Sequence, residues 1–110
     1  NISGMRNVAI VHLTKTLSDQ LGPDGITVNL VHPGATRTER TTREHRDIAQ
    51  RQGISLEETQ ERITRNIPIG RMIDAKEVGY VVTFLASSKA AAVTGEVISA
   101  GGGSGRAVFQ

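Results

Sequence analysis

The chain has 110 residues, a formal net charge of +2 and no cysteine. A domain typically holds ~100–150 residues, so this length fits one domain or part of one. The lack of cysteine excludes disulfides and thiolate chemistry, and no apolar run approaches the ~20 residues of a membrane span. Because the small positive charge is mixed with acids, we expect no nucleic-acid partner. No signal-peptide pattern is found either, so we expect a cytoplasmic protein with no membrane partner.

The first predicted element is a helix from about Met5 to Leu21. A second apolar face, formed by Val8 and Val11, suggests that the helix is covered on two sides. Glycine suits a left-handed cap and proline cannot continue a helix, so Gly22-Pro23 ends it. The main apolar residues recur at helical spacing: Ile10, Leu13, Leu17 and Leu21.

A buried strand and a candidate binding loop come next. Residues Ile26 to Val31 are rich in β-branched side chains and predict a central, parallel strand. The pattern Pro33-Gly34-x-x-x-Thr38 follows directly, and ligands of open α/β sheets bind at the carboxyl ends of strands. Glycine lets a ligand approach the backbone, and the Thr36 and Thr38 hydroxyls can bond phosphate or amide groups. Taken alone, Pro-Gly after a strand is usually only a turn.

The region from Thr38 to Asn66 is dense in Arg, Glu and Gln and predicts two short charged helices joined at Gly53. Two patterns match capping boxes that open helices, Thr41-x-x-Glu44 and Ser55-x-x-Glu58. A polar insertion at about residues 39–70, beside a binding loop, suggests a lid. The alternative is a solvated helical hairpin with no ligand contact.

A third capping box, Asp74-x-x-Glu77, opens the last predicted helix, and an apolar stripe follows it: Val78, Val81, Val82 and Leu85. A second strand, Glu96–Ser99, then leads into a glycine-rich run that begins at Gly101. The order indicates one right-handed α/β crossover with an insertion. Two parallel strands cannot form a stable sheet alone, so we expect the chain to pack against a missing amino-terminal half.

Five segments occur in the order and at the spacing of a known family. They are the helix that begins Val8-Ala-Ile, the turn Leu21-Gly-Pro-Asp-Gly, Ile67-Pro-Ile-Gly-Arg-Met72 with Glu77-Val78, Phe84-Leu-Ala-Ser87, and Thr94-Gly95. In these segments the chain resembles the short-chain dehydrogenase/reductase family across nearly its whole length. The resemblance implies an α/β, Rossmann-like doubly wound parallel sheet and a dimer or tetramer. It also implies hydride transfer between NAD or NADP and a small alcohol or carbonyl substrate.

The resemblance also assigns roles to individual residues. It implies that four residues meet the nicotinamide and pyrophosphate end of the cofactor: Pro33, Gly34, Thr36 and Thr38. It places the lid over the substrate and makes Arg71 a structural arginine. We do not expect His12 or His32 to act as an acid or base. No metal site is expected.

The chain departs from the family at its catalytic pair, Tyr-x-x-x-Lys. Counting without gaps places the tyrosine column at Ser3 and the lysine column at Asn7. Serine has no accessible pKa for this proton transfer, and asparagine carries no charge. Sliding by one residue would offer Arg6 for the lysine but Ile2 for the tyrosine. Tyr80, the single tyrosine, lies far along the chain.

The catalytic residues are therefore unknown. A lesser departure is Gly101, where the family usually carries an Asp. The first interpretation is the carboxyl-terminal part of an NAD(P)-dependent oxidoreductase, with residues 1–110 in one domain. The alternatives are a catalytically degenerate subunit that binds a nucleotide or a partner, and a purely structural fragment. Neither the substrate nor the choice between NAD and NADP follows from the sequence.

Overall fold

The computed structural model describes residues 2–104, with side chains from residue 4 onward. In chain order the elements are α1 (Ile2–Leu21), a 3-10 turn (Gly22–Asp24), β1 (Leu30–Pro33), β2 (Thr36–Arg37), α2 (Glu39–Gln52), α3 (Leu56–Thr64), β3 (Ile73–Asp74), α4 (Ala75–Leu85), a second 3-10 turn (Ser88–Ala90) and β4 (Val97–Ala100).

Helix α1 begins three residues before the predicted start and ends where predicted. Its most buried side chains are polar, because Thr14 and Ser18 face the rest of the described chain. The Ser18 hydroxyl lies 2.7 Å from the Thr94 hydroxyl. The predicted core residues Ile10 and Leu13 remain 44% and 54% exposed, so the described residues do not supply the expected two-sided cover. Neither α1 nor any other described helix combines the length and apolarity needed to cross a membrane.

Strands β1 and β4 form a parallel pair, as the sequence predicts, with Leu30 opposite Val97 and Pro33 opposite Ala100. The predicted bounds were wrong. The first strand begins at Leu30 rather than Ile26. The second covers Val97–Ala100 rather than residues 96–99.

Side-chain hydrogen bonds explain the late start of β1. The Val28 N–H donates to the Thr94 hydroxyl at 3.0 Å. The Asn29 amide donates to the Val93 carbonyl at 3.0 Å and accepts from the Glu96 N–H at 3.2 Å. Because these side chains take bonds that a strand ladder would make between backbones, the regular strand begins only after Asn29.

A second parallel pair, β2 with β3, was not predicted. Thr36 lies opposite Ile73, and Arg37 lies opposite Asp74. The Ile73 N–H also donates to the Ala35 carbonyl at 3.0 Å. This short pair fixes the segment after β1 to the residues that open α4.

Helices α2 and α3 form the predicted charged hairpin, joined at Gly53, whose φ is 66°. The first capping box was placed one turn too late. Thr38, not Thr41, is the N-cap of α2, and Thr41 provides the returning bond of the box. Glu44 instead pairs with Arg40 at 2.9 Å. Ser55 caps α3 as predicted, with its hydroxyl accepting from the Glu58 N–H at 3.0 Å.

Helix α4 carries the predicted apolar stripe only in part. Val78, Val81 and Leu85 are half-buried, whereas Val82 is 49% exposed. The Asp74 N–H donates to the Glu77 carboxylate at 3.0 Å, so the helix opens as the third box predicts.

The chain is open for its size. Its radius of gyration is 17.0 Å, whereas a compact chain of this length has about 13 Å. Its accessible surface is 7957 Å², against about 5,900 Å² expected for a folded protein of its mass. The buried apolar residues of the described part are few: Ala49, Ile67, Met72, Ile73 and Ala90. The exposed large apolar residues lie mainly on α1 and α4: Met5, Val8, Ile10, Leu13, Tyr80, Val82 and Phe84.

Candidate functional site

Three segments meet at the carboxyl ends of β1 and β4. The loop after β1 is tied to β4 by the Gly34 N–H, which donates to the Ala100 carbonyl at 3.2 Å. The glycine-rich run after β4 is tied to the segment before β3, because the Ile69 N–H donates to the Gly102 carbonyl at 3.2 Å. This edge of a parallel sheet is where open α/β folds bind ligands.

Gly34 and Gly101 approach each other more closely than any side chain would allow. A Cβ added to Gly101 would lie 2.6 Å from the Gly34 Cα and 2.9 Å from its nitrogen. A Cβ added to Gly34 would lie 2.7 Å from the Gly101 Cα. The departure at Gly101 therefore has a physical reason: an Asp there would push its Cβ into the backbone of the loop after β1.

The Thr36 hydroxyl shapes the loop from within. It donates to the Gly34 carbonyl at 2.9 Å, two residues back. Its proton is therefore occupied, and its lone pairs remain able to accept from an amide N–H.

Thr38 is the N-cap of α2, a role that the sequence analysis did not assign to it. Its hydroxyl accepts from the Thr41 N–H at 3.1 Å, and its own N–H donates to the Thr41 hydroxyl at 2.8 Å. The Thr38 and Thr41 hydroxyl oxygens are 3.4 Å apart, too long for a strong O–H···O bond. The Thr38 hydroxyl proton is thus weakly held and can turn to a phosphate oxygen. Pro33 is exposed and brings no N–H donor.

Arg71 forms an ion pair with Glu77. Its two terminal nitrogens reach the two Glu77 carboxylate oxygens at 2.7 and 2.9 Å. It also donates to the Met72 carbonyl at 3.2 Å. Hydrogen bonds from Arg71 and then from the Asp74 backbone lower the pKa of Glu77 from 4.5 to about 2. The same pairing raises the pKa of Arg71.

The positions of the family's catalytic pair lie on α1. Asn7 is half-buried and shares a helix face with Thr14 and Ser18 at spacings of seven and four residues. The side chains of Ser3 and Ile2 lie outside the described part of the chain.

The other titratable candidates are dispersed. His12 is exposed on α1, His32 is half-buried in β1, and Tyr80 is 61% exposed on α4. No group of three or more potential metal ligands occurs among the described residues.

The parallel strands, connecting helices and glycine loops at the strand ends define part of a Rossmann-type nucleotide-binding fold. A family model described as Enoyl-(Acyl carrier protein) reductase matches residues 1–104. The chain belongs to this family of short-chain dehydrogenases/reductases.

Individual relatives cover almost the whole chain. It is 36% identical over 106 residues to NADPH-dependent reductase BacG of Bacillus subtilis, covering 96% of this chain and 41% of that protein. The crystal structure of YwfH, an NADPH-dependent reductase involved in bacilysin biosynthesis, superposes with a TM-score of 0.81 at 35% identity, covering 94% and 39% of the two chains.

A further solved structure is described as an NADPH-bound short chain oxidoreductase from Pseudomonas aeruginosa PAO1 that contains an atypical catalytic center. It superposes with a TM-score of 0.73 at 27% identity, covering 92% of this chain and 37% of its own. The chain thus spans about two fifths of the length of the relatives it matches.

Proposed function

We propose that residues 1–110 are the carboxyl-terminal part of one Rossmann-like domain in an NADPH-dependent oxidoreductase that acts on an alcohol or carbonyl substrate. The observation that carries the proposal is the contact of Gly34 with Gly101, which brings two glycine loops together at the ends of parallel strands. The relatives that are described as NADPH-dependent reductases favour NADPH over NADH.

The residues of the candidate loop fit a dinucleotide. Gly34 presents backbone without a side chain, the Thr36 lone pairs can accept from a carboxamide, and the Thr38 proton can turn to phosphate. The bound cofactor supplies the hydride. The α2–α3 hairpin closes over the substrate and excludes water, a role that suits a polar, weakly packed element.

The rest of the site comes from other polypeptide in this proposal. An amino-terminal half supplies the glycine-rich nucleotide turn and covers part of the exposed apolar surface of the chain. A second copy covers the outer face of α1, where Met5 and Val8 are 71% and 70% exposed. The excess accessible surface of the chain supports both partners.

A second candidate is a subunit that binds the nucleotide without reducing a substrate. The uncharged Asn7 in the lysine column favours it. The P. aeruginosa neighbour supports the idea that an NADPH-bound member can have an altered centre. Both candidates bind the nucleotide, but only the first reduces a substrate.

Restoring the catalytic pair separates them. General acid/base catalysis typically contributes 10²–10⁴-fold, so Ser3→Tyr combined with Asn7→Lys in the complete protein should strongly raise carbonyl reduction. Ser3→Tyr alone should do less, because a tyrosine without its lysine keeps a pKa near 10. Substantial turnover by the unmodified protein, with no gain in the double variant, would show that another residue supplies the proton.

Nucleotide binding is tested at Thr38. A hydrogen bond to a charged group is worth about 1.5–3 kcal/mol, so Thr38→Val should raise the NADPH Kd about tenfold or more by calorimetry. Thr38→Val also removes the cap of α2, so Ser55→Ala, which removes the cap of α3, is the matched control. Equal effects of the two variants on the Kd would remove Thr38 from the site.

A further inference from the structure

A cavity separate from the proposed cofactor site lies between α2, α3 and residues 70–72. It has a volume of about 260 Å³. Its lining includes Arg37, Thr41, His45, Gln60, Thr64 and Arg71. None of the four proposed cofactor contacts lines it, and no acidic residue is among the described residues that do.

Two guanidinium groups line this cavity, and the carboxylates that pair with them lie outside its wall. Arg71 is held in place by Glu77, so its position at the cavity wall is fixed. Arg37 is held less firmly, because its contact with Asp74 is 3.6 Å long and both side chains are more than half exposed. Such an exposed pair is weak, so the Arg37 guanidinium can bind another anion. Neither Asp74 nor Glu77 lines the cavity.

His45 is the unexplained group of the cavity. It is 7% exposed, and its Nδ1 is sealed from solvent without a hydrogen-bond partner. Sealing an unpaired lone pair is less costly than sealing an unpaired N–H, so the ring proton belongs on Nε2. In that tautomer His45 offers one donor to a ligand in the cavity.

Gln60 adds a further donor. Its side-chain amide makes no hydrogen bond to any other described residue, so its N–H groups remain available to a ligand. The neighbouring hydroxyls are already used, because Thr41 donates to the Thr38 carbonyl at 2.9 Å and Thr64 donates to the Glu61 carbonyl at 3.2 Å. The wall groups with a proton still free to donate are therefore Arg37, His45 and Gln60, whereas the oxygens of Thr64 and Gln60 remain acceptors.

We propose that this cavity binds a phosphate group. A phosphate group offers three strong acceptor oxygens, which match the separate donors on Arg37, His45 and Gln60. The cavity is smaller than the ~300–1,000 Å³ of typical small-molecule pockets, so it suits a single group. That group is either inorganic phosphate or the phosphate end of a larger ligand. Because Thr41 both lines the cavity and bonds Thr38, a bound phosphate also steadies the start of α2.

The test uses the complete protein and inorganic phosphate, and needs neither NADPH nor turnover. We expect saturable changes in the imidazole NMR signals of His45. Arg37→Gln should raise the phosphate Kd about tenfold, since a lost charged hydrogen bond is worth at least the 1.4 kcal/mol of that factor. Arg43→Gln, an exposed arginine of α2 outside the cavity, is the matched control.

The outcomes are distinct. Loss of affinity in Arg37→Gln but not in Arg43→Gln supports the site, and an unchanged Tm in both shows that folding is intact. Repeating the phosphate titration with saturating NADPH identifies the source of the phosphate group. If NADPH displaces inorganic phosphate, the cavity binds a phosphate of the nucleotide. If it does not, the cavity binds inorganic phosphate or the phosphate end of another ligand. Absence of saturable change at His45, or equal loss in the two variants, overturns the proposal and leaves a cavity that holds water.

Discussion

Adding one methyl group at Gly101 should displace the loop after β1. The new Cβ would lie 2.6 Å from the Gly34 Cα, whereas ordinary contact begins at 3.4 Å, so the two backbones must separate by about 0.8 Å. The two Gly34 atoms are backbone and cannot yield as a flexible side chain would, although the Ser104 hydroxyl, also 2.9 Å away, can turn aside. Overpacking of this kind typically costs about 1–3 kcal/mol.

The predicted effect is on nucleotide affinity. If the strain appears on binding, 1–3 kcal/mol corresponds to a rise in the NADPH Kd of about five- to 150-fold. We expect Gly101→Ala to show it in a calorimetric titration of the complete protein, together with a lower Tm. Gly79→Ala is the control, because no heavy atom outside the neighbouring backbone of α4 lies within 4 Å of its added Cβ. A Gly101→Ala variant that binds NADPH and unfolds like the unmodified protein would refute the close-contact argument.

Three further predictions concern stability. Thr94→Val should lower the free energy of unfolding by about 1–3 kcal/mol, because it leaves the Val28 N–H and the Ser18 hydroxyl without their partner. Thr83→Val, at an exposed threonine, should change the free energy of unfolding little. Equal losses in the two variants would contradict a stabilising role of the Thr94 hydrogen bonds. The pKa of Glu77 is lowered from 4.5 to about 2, so its stabilising effect should be complete above pH 4.5 and lost as the pH falls towards 2. The Tm difference from Glu77→Gln should shrink over that range, and a constant difference would argue against the pairing. The isolated 110-residue chain should show no cooperative melting as a monomer, and a sharp two-state transition would disprove its dependence on other polypeptide.

Elements defined by local patterns could be predicted from the sequence. Helix α1 stops before Gly22-Pro23 because proline breaks a helix locally, although the glycine with left-handed φ is Gly25 and not the predicted Gly22. The hairpin joined at Gly53 and the Ser55 cap follow for the same reason. The error in the first capping box has a local cause too, because Thr38 and Thr41 can each serve as an N-cap and the sequence alone does not rank them.

The first and last residues of the strands could not be predicted, because they depend on hydrogen bonds to residues far away in the sequence. The bonds that delay β1 come from Thr94 and from the Asn29 amide, which spans to residues 93 and 96. The pairing of Thr36 with Ile73 joins two-residue strands, too short for any periodicity to appear. Each contact joins residues more than thirty positions apart, so only the tertiary structure defines it.

The candidate site divides in the same way. The position of Pro33 to Thr38 at a strand end could be predicted, since a glycine loop after an apolar run is a local signal. The internal bonds of Thr36 and Thr38 and the contact of Gly34 with Gly101 could not, because they depend on how the loop folds back. The donors around His45 had no sequence signal, since that cavity forms only where α2, α3 and residues 70–72 pack together.

Two departures from the family pattern, Gly101 and Asn7, differ in whether packing explains them. Gly101 is explained by packing, because Gly34 occupies the space that a side chain would need. Asn7 has no such explanation: its side chain is hydrogen-bonded to no other described residue, although it is half-buried on the face that Thr14 and Ser18 present to the rest of the chain. Asn7→Lys should therefore leave the Tm nearly unchanged, and any gain in turnover that it brings with Ser3→Tyr can be attributed to the proton-transfer step.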